Sequence, residues 1–257
     1  MYQPSFSLEN KTAVVTGAGR GIGKALAIGL AEAGAEVVLL SRTENELKET
    51  TAFIKDRGGE AYYVVTDVTD REEIRRTIDK VINNSGKIDI LINNAGMNIR
   101  SKAEDVTDAE WSVIMDTNLK SAFMMSQEVG NVMRAQGNGG SILSVSSVAG
   151  QTALRTGVAY GASKAALIHM TKILAFEWGK DGIRVNSIGP WYFETPLTEK
   201  LLADEKYLSE ILAVTPLNRV GQLKELIGPA IFFVSEAGSY VTGQTLFVDG
   251  GMTINGF

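Results

Sequence analysis

Short apolar runs with no polar break set the terms on which this chain can fold. Val37-Val38-Leu39-Leu40 and Ile90-Leu91-Ile92 present no polar side to water. Strands built from them must be covered on both faces, as in parallel sheets flanked by helices. β-rich stretches fall at 13–16, 36–40, 61–66, 88–93, 141–145, 184–188 and 245–248. Helical patterns at 21–33, 43–57, 70–85, 108–136, 158–179 and 222–235 separate most of them, and Ile22, Leu26 and Leu30 recur at helical spacing in the first. This alternation predicts a doubly wound parallel seven-stranded sheet with right-handed crossovers, a three-layer α/β/α arrangement. No Pro/Gly/Ser-rich linker and no short internal repeat divides the chain, so residues 1–257 read as one domain. The rhythm breaks at 190–216, a long excursion after the sixth strand that suits a lid or substrate loop.

Composition removes several function classes. The formal charge of −5 lacks the basic excess of nucleic-acid binders. With no cysteine and one histidine, His169, neither a disulfide nor a Cys-rich zinc site can form, so no metal is expected. The first residues do not pair a basic region with an apolar one, and no apolar run is long enough to span a bilayer. A cytoplasmic protein with no membrane or nucleic-acid partner is the expectation.

The first strand runs into Thr16-Gly17-Ala18-Gly19-Arg20-Gly21-Ile22-Gly23 and then a helix. Glycines let the backbone turn tightly and approach a ligand, and the helix N-terminus offers free N–H groups to a pyrophosphate. A plain turn is the alternative, but the strand–glycine–helix context favours a Rossmann-type dinucleotide site. NAD sites place a carboxylate at the end of the second strand, against the ribose 2′-hydroxyl. Here that strand ends Leu40-Ser41-Arg42, with no carboxylate until Glu44. Arg42, aided by Arg20, suits a 2′-phosphate instead, so NADP(H) is expected over NAD(H). The alternative for Arg42 is that it merely opens a solvated helix.

The spacing Thr-Gly-x-x-x-Gly-x-Gly resembles that of the short-chain dehydrogenase/reductase family. Asp67-Val68, Asn93-Asn94-Ala95-Gly96, Asn118, Ser147, Tyr160-Gly161-Ala162-Ser163-Lys164 and Asn186 through Pro190 follow in the family's order, across essentially the whole chain. The resemblance implies cofactor contacts from Gly17, Gly19, Arg20, Gly21, Ile22, Gly23, Ser41 and Arg42. It adds Asp67 and Val68 at the adenine, Asn94 at its ribose, and Phe193 (through backbone) and Thr195 near the nicotinamide amide. Asp67 could alternatively cap the helix at 70–85.

Tyr160 and Lys164 stand four apart in a helical segment and so share a face. A free phenol titrates near ~10, too high for proton exchange at neutral pH. A neighbouring ammonium and an oxidised nicotinamide ring both favour phenolate, which makes Tyr160 the candidate general acid/base. Lys164 would also reach the nicotinamide ribose. Ser147, just past the fifth strand, would hold the reacting oxygen; Ser146 competes, and the family's spacing favours Ser147. Asn118 resembles the asparagine that opens a helix and carries a water to the lysine. His169 is a rival base, but its place nine residues after Tyr160 favours a structural role.

Within the family, residues 6–11, 192–198, 215–226 and 246–252 resemble gluconate 5-dehydrogenases, so a sugar acid or polyol is the expected substrate. Arg100, a few residues after Asn-Asn-Ala-Gly, could take a carboxylate in two-pronged contact, with Arg155 as a weaker candidate. Trp191 stands where the family has glycine after proline, reshaping the pocket or its lid. A 3-oxoacyl-acyl-carrier-protein reductase, with the same catalytic residues, is the rival enzyme. A catalytically idle NADP-binding regulator is the rival of another class. Long apolar helices at 108–136 and 158–179, and a tail at 251–257 with Met252, Ile254 and Phe257, imply a homotetramer, as in relatives.

Overall fold

The computed structural model describes residues 2–196 and 198–254, so Phe257 lies outside the described residues. Seven strands form one parallel sheet: β1 (Thr12–Thr16), β2 (Glu36–Ser41), β3 (Ala61–Val65), β4 (Ile90–Asn93), β5 (Gly140–Val145), β6 (Ile183–Pro190) and β7 (Thr245–Val248). Their spatial order is β3-β2-β1-β4-β5-β6-β7. The chain reverses its direction of winding between β1 and β4, and this opens a crevice at their carboxyl ends.

Alternate residues of each strand feed two cores. Ala13, Val15, Val37 and Leu39 pack with Leu26, Leu30, Leu226 and Phe233 on one face. Val14, Val38, Leu40 and Leu91 pack with Ile74, Ile78, Val129 and Leu174 on the other. The unbroken apolar runs are thus accounted for, since both sides of each central strand are buried. The α-helices among the described residues are α1 (Gly21–Glu32), α2 (Glu44–Lys55), α3 (Arg71–Ser85), α4 (Asp108–Met115), α5 (Ser121–Gln136), α6 (Val158–Trp178), α7 (Glu199–Leu202), α8 (Glu205–Ala213) and α9 (Lys224–Val234). None of the described helices is long and apolar enough to cross a membrane.

Two departures from the sequence reading matter for the site. The expected helix at 108–136 is broken by a π-helical turn, Asp116–Lys120, that separates α4 from α5. The cause is distant in sequence. The Asn118 amide accepts from Met97 N–H (2.7 Å) and donates to Met97 C=O (2.9 Å), pinning that turn to the loop after β4. The excursion at 190–216 carries two helices of its own, α7 and α8. Asp204 starts α8 by accepting from the backbone N–H groups of Lys206 and Tyr207.

Candidate active site

β5 and α6 bring three candidate catalytic side chains together. Tyr160 lies in the first turn of α6, Lys164 one turn on, and Ser147 just past the end of β5. The Lys164 ammonium is 5.7 Å from the centre of the Tyr160 ring and donates to Val145 C=O at 2.9 Å. Lys164 is only 4% exposed, and burial pulls its pKa down to about 8. Ser146 donates its hydroxyl to the Lys164 backbone carbonyl at 3.1 Å. Ser147 is therefore the serine that meets the Tyr160 phenol, and it also accepts from Ala149 N–H at 3.2 Å.

The protein's own groups set the starting point of this phenol. Burial pushes the Tyr160 phenol above its ordinary value; the Ser147 hydrogen bond and the Arg100 guanidinium pull the other way without reversing the shift. The protein's own groups thus hold Tyr160 protonated, the form that can give a proton. Asn118, 1% exposed, also donates to the Ser163 hydroxyl at 3.1 Å. It ties α6 to the loop after β4, one residue away from Lys164. His169 is exposed and is not among the residues lining the cavity.

From these groups a cavity of about 360 Å³ runs to the glycine turn and the end of β2. Gly17 and Gly21 adopt left-handed backbone (φ +64° and +56°), and a Cβ on Gly23 would overlap the Gly17 carbonyl. Among the described residues no side chain caps α1, and Gly19, Arg20, Gly21 and Ile22 at its start line the cavity. This suits a pyrophosphate. Asn94 donates to the carbonyls of Thr16 (3.0 Å) and Gly17 (3.1 Å) and so clamps the turn as well as lining the cavity.

At the far end Ser41, Arg42, Asp67 and Val68 line the same cavity. The N-cap of α3 is Asp70, so the alternative role for Asp67 as helix cap does not hold. Burial raises the Asp67 carboxyl, but hydrogen bonds from Thr69 and the charge of Arg42, 3.9 Å away, leave it below its ordinary value. Glu46 also lines the cavity, 3.5 Å from Arg20; the sequence reading stopped at Glu44 and missed it. Phe193 and Thr195 line the cavity on the side of Tyr160 and Pro190. Thr198, unforeseen, bonds the Phe193 carbonyl (2.5 Å) and the Thr195 N–H (3.0 Å). The glycine cradle, uncapped helix and flanking arginines fit a dinucleotide. Among the described residues no cluster of three or more His, Asp or Glu could hold a metal ion.

The third part of the cavity is lined by Arg100, Leu154, Thr156, Trp191 and Tyr192. Arg100 donates to the hydroxyls of Tyr207 (2.9 Å) and Tyr192 (3.5 Å), which are themselves 2.5 Å apart. Burial pushes the Tyr192 phenol up to about 12, so it stays protonated. Trp191 donates from its indole to the Thr215 hydroxyl (3.0 Å) and packs edge-on against Tyr192. Arg155 is not among the lining residues. It turns outward to Glu210 of α8 at 2.5 Å, which argues against a substrate contact. Asn98 lines the cavity too, with a buried amide oxygen that has no partner among the described residues.

Similarity to known proteins agrees with this geometry. A family model described as enoyl-(acyl carrier protein) reductase matches residues 17–253. The chain is 41% identical over 251 residues to gluconate 5-dehydrogenase of Gluconobacter oxydans, covering 97% of each chain. It is 42% identical over 253 residues to a tropinone reductase homologue of Arabidopsis thaliana, covering 98% of this chain and 96% of the relative. The solved structure of a gluconate 5-dehydrogenase from Burkholderia cenocepacia, in complex with NADP and tartrate, matches with a TM-score of 0.93 at 40% identity. That match covers 97% of both chains.

Proposed function

The chain belongs to the short-chain dehydrogenase/reductase family, and on that footing we propose that it interconverts a carbonyl and a secondary alcohol with NADP(H) preferred over NAD(H), on a sugar acid or polyol. Membership makes it an oxidoreductase that works with a nicotinamide cofactor. The observation that carries the finer reading is the continuity of one cavity. It joins Arg20 and Arg42, the glycine turn, the Ser147–Tyr160–Lys164 group and Arg100.

When bound, the nicotinamide ring supplies or accepts the hydride. The chain's own residues do the rest. Ser147 donates a hydrogen bond to the substrate oxygen and fixes it against the Tyr160 phenol. Tyr160, held protonated by burial, gives its proton to that oxygen in reduction and takes it back in oxidation. Lys164 orients the nicotinamide ribose and lends its charge to the phenolate. Asn118 holds the π-helical turn open beside α6. Residues 190–216, with Trp191 and α8, form the lid.

Arg100 favours an anionic substrate. Its guanidinium, braced by the Tyr192 and Tyr207 hydroxyls, lines the same cavity as Tyr160. Arg100→Ala is expected to raise KM for a keto-hexonate about tenfold or more, as expected for a lost charge-assisted hydrogen bond, while KM for an uncharged ketone moves far less. NADPH absorbance during turnover of hexonates, polyols, tropinone, acetoacetyl thioesters and aryl ketones tests this. Preference for the acetoacetyl thioester would replace the sugar-acid reading, and no turnover of any would point to a non-catalytic regulator.

A homotetramer in the cytoplasm completes the proposal. Phe176, at 89% exposure, and the exposed Trp111, Phe123 and Ile173 leave apolar surface on α4, α5 and α6 that supports burial against other copies. Light scattering at micromolar concentration is expected to give the mass of four chains; a monomer contradicts it.

A further inference from the structure

We propose that Glu46 is a specificity-determining residue that restrains the preference for the 2′-phosphate and keeps the adenosine end of the cavity open to NAD(H) as well. The inference rests on the reading above that this end binds the adenosine ribose.

Glu46 stands in the first turn of α2 and faces the glycine turn. A Cβ on Gly19 would lie 2.8 Å from the Glu46 Cβ and 2.8 Å from its Oε2, and 3.4 Å from the Ser41 Oγ. The carboxylate is therefore packed between the turn and the end of β2, and the absence of a side chain at Gly19 makes room for it. Its other oxygen, Oε1, is 3.5 Å from Arg20. Arg20, Ser41, Arg42 and Glu46 all line the cavity.

The helix cannot retreat to take this charge away. Leu47, the next residue, is fully buried in the core. Thr50, one turn further, reaches both the Glu46 carbonyl (2.9 Å) and the Gly19 carbonyl (3.3 Å). Glu46 thus sits wherever the glycine turn sits.

The charges at this end are already matched. Arg20 faces Glu46, and Arg42 lies 3.9 Å from Asp67. An arriving phosphate dianion gains two guanidiniums but must also stand beside the Glu46 carboxylate, and like charges at close range oppose binding. A ribose bearing a free 2′-hydroxyl meets no such repulsion and can donate to the same carboxylate. One residue therefore acts with opposite sign on the two cofactors.

The test is direct binding by isothermal titration calorimetry of NADP+ and NAD+ to wild type, Glu46→Gln and Arg42→Ala, with no turnover required. Glu46→Gln, which keeps the shape and removes the charge, is expected to shift the ratio of dissociation constants toward NADP+ by about tenfold, with NAD+ binding unchanged or weaker. An unchanged ratio in Glu46→Gln overturns the inference. If Arg42→Ala then still weakens NADP+ selectively, the phosphate reading stands and the Glu46 role alone fails. If Arg42→Ala also leaves both constants unchanged, the phosphate reading falls with it.

Discussion

Tyr160→Phe is expected to bind NADP(H) with wild-type affinity and to lose turnover by about a thousandfold, within the range that general acid/base catalysis supplies. The ring stays and only the hydroxyl goes. Packing on α6 and the glycine turn should therefore be unaffected, so loss of kcat with preserved cofactor binding isolates the proton-transfer role. Stopped-flow NADPH oxidation with a turned-over carbonyl measures the first quantity, and NADPH fluorescence titration the second. Near-normal kcat would remove Tyr160 from the mechanism, and the exposed His169 is not positioned to take its place.

Lys164→Met is expected to alter stability as well as rate, with a sign fixed by the burial of the ammonium. The Lys164 pKa is pulled from an ordinary 10.5 to about 8 by desolvation. Below pH 8 the group is protonated both folded and unfolded, and the folded state carries the full cost of burying the charge. Between that point and the unfolded value the unfolded chain holds more protons, so stability rises with pH. Above the unfolded value the group is neutral in both states and the cost is gone. The gap corresponds to roughly 3 kcal/mol as an upper estimate. Wild type should therefore gain on Lys164→Met by up to that amount between pH 7 and pH 10.5. The orphaned Val145 carbonyl in the variant adds a constant offset that does not vary with pH. Urea unfolding of both proteins at the two ends of this window reads the difference, and a constant difference contradicts the assignment. The same variant should lose about a hundredfold in kcat, since the phenolate is left without its neighbouring charge.

What the sequence disclosed about fold and site follows a physical line. Elements whose cause is local were legible. Val37 to Leu40 can be buried on both sides only as a central strand, and Gly17 to Gly23 carries its own turn chemistry. The shared face of Tyr160 and Lys164 follows from helical spacing. Features whose cause is a distant partner were not. Periodicity runs the helix of 108–136 straight through the π-helical turn that Asn118 ties to Met97, 21 residues earlier, and only the family resemblance pointed to an asparagine that opens a helix there. Glu46 reaches the cavity, and Tyr207 reaches Arg100, through the docking of α2 and α8, which periodicity does not orient. Thr198 was missed for a different reason: its bonds are local, but a threonine before a helix signals a cap more readily than a brace for Phe193. Arg155 lay at the right distance along the chain and points the wrong way, toward Glu210. The raised phenol of Tyr160 belongs to the same class, because its direction is set by burial that spacing alone does not reveal.

Catalysis needs a phenol that the folded protein keeps protonated and that added positive charge releases. Ultraviolet difference titration at the phenolate band, wild type minus Tyr160→Phe to cancel the other tyrosines, isolates that single group with and without saturating NADP+. Tyr160 is expected to ionise above the ordinary tyrosine value in the free protein and clearly closer to neutrality with NADP+ bound. An ionisation that does not move on binding NADP+ would contradict this.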